Sequence, residues 1–455
     1  MMDLLRRYGV SAAEGGPRGP SAGPPRSAGS CEVTMAVPGA HDIDRFELAN
    51  GITLLVRENH ANPAVVMTGY LQVGAYDESP RKAGLADFVA DGLMRGTERR
   101  SFDEIYEALE SVGASMGVSG GTHATGFGGR CLSEDVPMLL ETLAEVLREP
   151  SFPGDEIEKL RGEILADLAE RTHDTSRMAS LAFYELAYPE RHPYAISASG
   201  YPETIKAIDR DDLVGFHREG YGSEGMTMVV VGAVDAELLG ARVERVLGDW
   251  RGQTFAREPL PETRQLTEVR ERRVTVEDKT QSNIVLGYPG PARTDPGFLD
   301  ARVCNTILGV FGLMGRLGEK VRDEQGLAYT SYSSLSGGPG PGPWRVVAGV
   351  DPVNEEKAIG SIRAEIRRMC DELVGEDELR DSQAYLTGSM PLQLETNSGV
   401  ARTILSMERY GLGLDYLERY RELIEGVTAE DVRRAARRWL DPDAYALAVA
   451  GPPEA

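Results

Sequence analysis

Two carboxylates and two hydrogen-bond donors are the residues of this chain whose types and spacing could do chemistry. Asp87 and Asp91 stand four apart in Gly84-Leu-Ala-Asp-Phe-Val-Ala-Asp-Gly-Leu-Met-Arg-Gly-Thr97, so a helix would put both on one face. Such carboxylates suit a hard divalent ion such as Mg²⁺, Mn²⁺ or Ca²⁺. The bland alternative leaves them solvated or paired, for example Asp91 with Arg95 one turn on. A catalytic zinc instead takes imidazole or thiolate ligands around one open position. The six histidines are His41, His60, His123, His173, His192 and His217, and no two are four apart. Neither H-x-x-E-H nor H-E-x-x-H can therefore occur. No two of the four cysteines form C-x-x-C. Far downstream, Arg322 and Tyr329 stand seven apart. A guanidinium offers fixed donors to peptide carbonyls, and a phenol can donate to a carbonyl as it becomes an oxyanion. In the bland alternative Arg322 complements a helix C-terminus and Tyr329 packs in a strand.

The elements that must position these residues follow from local pattern. Residues 84–97 carry Leu85, Phe88, Val89 and Leu93 on one apolar side, which predicts a helix. Residues 315–332 read as a helix stopped by Gly326 and followed by a strand. Asn50-Gly51 between two short apolar runs predicts a hairpin, and 65–73 a strand. Residues 103–112, 135–147 and 155–171 read as helices, the last with Asp155 and Glu156 where a helix N-terminus favours acids. Residues 226–232 predict a buried strand, and 336–343 a turn between strands. The segment Ile208-Asp-Arg-Asp-Asp-Leu-Val with 229–232 finds an echo in Val427-Thr-Ala-Glu-Asp-Val-Arg with 448–451. From 208 to 427 and from 232 to 451 the offset is 219 residues both times. Gly92-Leu-Met and Gly312-Leu-Met repeat at an offset of 220. This register predicts two duplicated halves. The expected organisation is a disordered Gly/Pro/Ser-rich tail at 1–42, a first half at 43–250, a linker at 251–267 and a second half at 268–455. Strands and helices interleave in each half, so the expected class is α+β, each half a mixed or antiparallel sheet packed with helices.

The stretch 84–97 resembles the zinc helix of the pitrilysin/insulinase metallopeptidases, whose signature is H-x-x-E-H. Asp87 and Asp91 occupy the ligand positions and Ala90 that of the general base. The resemblance implies a third ligand from a later helix, which falls on Asp167, 76 residues after Asp91. Even with a metal bound, Ala90 removes the carboxylate that would deprotonate an attacking water. The chain is thus expected to hold no metal, with Asp87, Asp91 and Asp167 as degenerate ligand positions. Segment 315–332 is similar to the motif with which the family's C-terminal half grips the substrate backbone, and the matching residues are Arg322 and Tyr329. Residues 113–119 resemble the strand to which peptides add by β-augmentation. That implies substrate contacts at Met116, Gly117 and Val118, although Gly117-Val118 stands where the family typically has Asn-Ala. His192-Pro-Tyr resembles a segment between helices in the family, and His192 reads as a structural hydrogen-bonding residue. The resemblance runs from about residue 44 to 452. It is with the processing-peptidase-like bacterial branch, some of whose members divide the work between two chains clasped around a chamber.

What the resemblance implies is a clam-like pair of halves and a non-catalytic, substrate-positioning subunit of a heterodimeric zinc endopeptidase acting on extended peptides. The zinc is expected in a homologous H-x-x-E-H partner, with no cofactor and no activity in this chain alone. The alternatives are a structural or peptide-binding protein without a proteolytic role, like the core subunits of respiratory complex III, and a stand-alone hydrolase using an Asp-ligated metal.

Composition narrows the partners. The 455 residues exceed one compact core. With 49 basic and 72 acidic residues the formal charge is −23, which repels phosphate backbones and anionic lipid, so neither nucleic acid nor a membrane surface is expected. No stretch approaches the roughly 18 apolar residues of a spanning helix, and no apolar run follows Arg6 and Arg7 as a secretory signal requires. Cys31, Cys131, Cys304 and Cys370 read as reduced thiols of a cytoplasmic protein.

Overall fold

Asn50-Gly51 turns the chain between β1 (Asp44–Glu47) and β2 (Thr53–Glu58), which pair antiparallel. Gly51 sits at φ +89°, a left-handed conformation in which a Cβ would be strained. The structure, a computed structural model, describes residues 37–252, 254–310 and 315–453. The expected tail, with Met35, lies outside the described residues up to 36. Its last residues, 37–42, are ordered instead. The Gly39 amide donates to Asp42 Oδ1 at 2.8 Å, and Arg57 Nε donates to Asp42 Oδ2 at 2.7 Å. Composition could not signal this, because the ordering partner stands in β2.

Two mixed sheets carry the fold. The first contains β1, β2, β3 (Ala64–Leu71), β4 (Ser115–Ser119), β5 (Thr125–Leu132) and β6 (Thr227–Gly232), in the order β1-β2-β6-β3-β5-β4. The second contains β7 (Arg270–Thr275), β8 (Ser282–Pro289), β9 (Ala328–Leu335), β10 (Pro343–Val350) and β11 (Ala446–Gly451), in the order β7-β11-β8-β10-β9. The pairs β2–β6 and β7–β11 are parallel and all others antiparallel. The second order repeats the first with β1 removed.

The helices of the first part are α1 (Leu85–Gly92), α2 (Phe102–Glu110), α3 (Val136–Arg148), α4 (Gly154–Arg171), α5 (Thr175–Ala187), α6 (Pro202–Ala207), α7 (Arg210–Gly220) and α8 (Ala236–Leu247). Those of the second are α9 (Phe298–Gly309), α10 (Glu355–Asp371), α11 (Glu376–Gln393), α12 (Asn397–Arg409), α13 (Tyr416–Glu425) and α14 (Ala429–Trp439). The repeated motif is a capped helix feeding a central strand. Asp209 and Asp212 form a capping box at α7, and Thr428 and Asp431 form one at α14, each satisfying orphan amides of the first turn. From Arg210 to Ala429 and from Thr227 to Ala446 the offset is again 219 residues. The Gly92/Gly312 echo cannot be placed, since Gly312 lies outside the described residues.

The halves exchange helices. α5, from the first half, lies on β7, β8 and β11 of the second sheet. Its Ala179, Ala182 and Phe183 cluster with Ala446, Ala448 and Ala450 of β11, where small residues let helix and sheet approach closely. α12, from the second half, lies on β3 and β6 of the first sheet. There Leu55, Val229 and Val231 join the same core as Val400, Ala401 and Ile404. Met228 and Val230, alternating with them along β6, face the opposite core. A strand buried on both faces explains the unbroken apolar run at 226–232. The exchanged helices are pinned near their N-termini. Asn283 Nδ2 donates to Thr175 Oγ1 at 2.6 Å, and Asn59 Nδ2 donates to Asn397 Oδ1 at 2.8 Å. Among the described residues the stretch between the sheets forms no helix or strand, yet it is tied down. Arg257 Nε donates to Asp77 Oδ1 at 2.8 Å, and the rings of Phe255 and Phe216 lie 5.1 Å apart.

Candidate functional site

α1 begins at Gly84, which is left-handed at φ +93°. Glu78 caps it, accepting from the Gly84 and Ala86 amides at 2.8 and 2.7 Å. Burial outweighs those bonds and pushes the Glu78 carboxyl up to about 8. Leu85, Phe88, Val89 and Ala90 are buried, so the position a general base would need belongs to the core. Helix α1 ends at Gly92 and tightens into a 3₁₀ turn over Leu93–Arg95. Asp91 and Arg95, the example the bland alternative offered, form no direct ion pair, although the Arg95 charge still acts on Asp91. Arg95 is no longer one α-turn from Asp91 and reaches across to α4, donating to Glu163 and lying 3.8 Å from Glu156.

The three degenerate ligand positions do not converge. Asp87 is half-buried, its carboxyl raised by burial against an opposing hydrogen bond from Ser199. Gly120, just past β4, packs so closely on Asp87 that a Cβ would have no room. Asp167 is held by Arg177 of α5 through two donors, Nη1 to Oδ1 at 3.0 Å and Nη2 to Oδ2 at 2.6 Å, which lower its pKa. Among the described residues no group of three or more His, Cys, Asp or Glu side chains is placed to hold a metal. Residues lacking imidazole and thiolate, with one carboxylate already paired to a guanidinium, do not fit a catalytic zinc.

Asp91 keeps a solvent-exposed side. Partial burial and the charge of Asp87 still push its carboxyl from about 3.8 up to about 6, with Arg95 opposing. A carboxyl whose folded pKa exceeds its unfolded value holds its proton better when folded. Its contribution to stability thus falls as the pH rises from about 3.8 to about 6 and stays low above that. Asp91→Asn is expected to raise the thermal midpoint more at about pH 8 than at about pH 4.5. A shift of equal size at both pH values would count against this electrostatic account.

The second constellation is built from two irregularities. The helix the sequence predicts here is a π-helix over Gly318–Asp323, a widened turn often found at functional positions. It closes at left-handed Gly326 (φ +61°), whose amide donates to the Arg322 carbonyl at 2.9 Å while the Leu327 amide donates to the Val321 carbonyl at 3.0 Å. β9 then begins. Along β10, Gly349 faces Thr330 and Val350 faces Ala328, so Tyr329 is the extra residue of a β-bulge. Bulges re-aim side chains, and here two successive residues, Tyr329 and Thr330, face solvent. Tyr329 is 83% exposed. It does not pack in its strand, as the bland alternative had it.

Both sheets end in an open edge strand at the corresponding place, β4 in the first and β9 in the second. Met116 and Val118 of β4 turn toward the core, Gly117 turns outward, and a Cβ at Gly117 would meet nothing within 4 Å. The strand is paired with β5 on one side only, leaving backbone donors and acceptors on the other. His192 is fully buried, stacked at 5.1 Å on Tyr188, and accepts from the Tyr194 amide through Nδ1 at 3.1 Å. Sequence reasoning missed Glu78, because an acid that caps a helix from an irregular segment leaves no periodic signal. It also missed the contact of Arg171 and Arg177 with the space beside α5, which only tertiary folding creates.

Residues 53–192 match the family profile described as Insulinase (Peptidase family M16), and residues 207–386 the one described as Peptidase M16 inactive domain. A protein named as an uncharacterized zinc protease from Streptomyces coelicolor is 26% identical over 415 residues, covering 88% of each chain. One of the same description from Mycobacterium leprae is 27% identical over 430 residues, covering 94% of this chain and 93% of its own. Among solved structures, a peptidase M16 inactive domain from Pseudomonas fluorescens superposes with a TM-score of 0.84 at 23% identity, covering 91% of this chain and 98% of that one. A protease from Helicobacter pylori superposes with a TM-score of 0.82 at 18% identity, covering 91% of this chain and 100% of that one. Among the described residues no helix is long and apolar enough to cross a membrane.

Proposed function

We propose a function that starts from membership: the chain belongs to the M16, insulinase-type, peptidase family. Within it, this chain is a non-catalytic, substrate-positioning subunit of a two-chain zinc endopeptidase acting on extended peptides. A homologous partner bearing H-x-x-E-H supplies the zinc and its activated water. This chain supplies Arg322 and Tyr329. The observation that carries the reading is the contrast between the two constellations. The metal positions hold no imidazole, and Asp167 is spent on Arg177. Tyr329, by contrast, is lifted out of its strand by a bulge and held 83% exposed. A large aromatic ring kept in water at the edge of a sheet forgoes burial, and donation to a substrate oxyanion across a subunit boundary gives that exposure a use. The open edge of β4 supports an extended substrate, since a peptide can add to it by main-chain hydrogen bonds.

The test is reconstitution. The purified chain, and the chain co-expressed with an H-x-x-E-H relative, are assayed on an extended fluorogenic peptide. Cleavage is expected only from the mixture. Turnover by the single chain would overturn the division of labour. A stable complex indifferent to this chain's Arg322 and Tyr329 would favour a purely structural role.

A further inference from the structure

A cavity of about 540 Å³ lies between α5, the segment 193–199, the loop after β4 and the 336–343 turn of the second half. In a chain with a formal charge of −23, no Asp or Glu side chain among the described residues lines it. Its charged walls are Arg171 and Arg177, with Ser176, Ser197 and Ser199 among the hydroxyls around them. Arg177 already faces Asp167, and Asp174 takes the first free amides of α5. Arg171 differs. It is only 9% exposed, and its Nη1 and Nη2 donate to neutral acceptors, Ser197 Oγ at 3.0 Å and the Gly200 carbonyl at 3.2 Å. Its Nε is buried with no hydrogen-bond partner. A buried guanidinium with no carboxylate bonded to it is costly, and burial and Arg177 oppose its charge more than the more distant Tyr201, Asp167 and Glu185 support it.

The position of the cavity is as informative as its charge. Thr122 and His123, on its wall, follow the edge strand β4 by only Gly120-Gly121. Ser199, also on the wall, stands close enough to Asp87 of α1 to oppose the upward shift of its carboxyl. A peptide strand laid on the free edge of β4 therefore leads to this cavity. His123 donates no positive charge of its own, since burial and the nearby Arg257 and Arg409 push it down to about 4.

We propose that this cavity receives a carboxylate of the bound peptide, with Arg171 as its counter-charge. The inference rests on the reading that the chain binds extended peptides. The carboxylate comes from the free C-terminus or from an acidic side chain, and the positive charge of Arg171 behind the wall, with the Ser176 and Ser197 hydroxyls on it, favours an anion over a positively charged amino terminus.

The test uses the purified full chain and fluorescein-labelled octapeptides of neutral sequence, read by fluorescence anisotropy. One peptide ends in a free carboxylate, one is amidated, and a third is amidated with a single internal Glu. The free acid is expected to bind about tenfold or more tightly than the amide, the size of a charge-assisted bond. Recovery by the Glu peptide would assign the side chain as a second source of the same group. Arg171→Gln should erase the preference and Arg171→Lys should keep part of it. Because Arg171 also bridges loops, Ser176→Asp serves as a second variant. It adds a negative charge on the wall at an exposed helix start, where an acid is tolerated, and should also erase the preference. Equal binding of acid and amide overturns the inference and leaves the subunit reading intact. An equal loss for both peptides in Arg171→Gln, with the preference unchanged in Ser176→Asp, shows Arg171 to be structural and also overturns it. Absence of binding by any peptide at millimolar concentration overturns both.

Discussion

Tyr329→Phe is expected to lower the kcat of the two-chain enzyme by about 10²- to 10³-fold, the cost of one oxyanion donor, with KM little changed. The substitution removes one hydroxyl from a ring that is 83% exposed, so it opens no cavity and leaves no buried partner unsatisfied. A loss of turnover cannot then be assigned to unfolding, which a melting curve of the isolated chain would check. Phe also keeps the shape that the bulge presents, so what disappears is a proton donor. An effect on kcat and kcat/KM alike identifies an interaction made only in the transition state. Arg322→Ala should instead weaken KM as well, because a guanidinium holding peptide carbonyls acts on bound substrate too. Full activity in Tyr329→Phe would remove the phenol from the mechanism.

Residues 37–250 or 268–455 expressed alone are expected to show no cooperative thermal transition. The reason is the helix exchange. Without α12 the first half exposes Leu55, Val229 and Val231, each at 0% exposure in the whole chain. Side chains of this kind contribute about 1.5–3 kcal/mol each on burial, and three together rival the roughly 5–15 kcal/mol stability of a whole domain. The second half would likewise expose Ala446, Ala448 and Ala450 once α5 is gone. Co-expression of the two fragments should restore a soluble complex. Circular dichroism melts with gel filtration decide the matter, and a sharp melt from either monomeric half would refute it.

How much of this was legible depended on the distance over which each interaction acts. The segments beginning at Ile208 and Val427 carry a local pattern, the capped helix starts at Asp209 and Thr428, so their repetition at one offset revealed the duplication directly. That neither H-x-x-E-H nor H-E-x-x-H occurs was legible by counting histidines. The helix exchange was not legible. Ala179 and Ala182 look like ordinary small helix residues until they meet β11, more than 250 positions away. The Asp91–Arg95 pair failed because residues 84–97 were read as one regular helix, whereas the chain tightens after Gly92. The Arg/Tyr segment was placed correctly as helix, glycine stop and strand. Period-two and period-3.6 patterns, however, carry no mark of a widened turn or an extra strand residue.

That segment has a consequence for how the chain can vary. A π-turn holds one more residue per hydrogen-bonded ring than an α-turn, and a bulge one more than its partner strand. Both surpluses lie within a dozen positions, on either side of Gly326. Deleting one residue would let either element relax to its regular form. It would swing Arg322 around the helix axis, or flip Tyr329 to the other face of the sheet. Here the count of letters matters more than their spelling, and single-residue insertions or deletions should be tolerated worse than most exchanges.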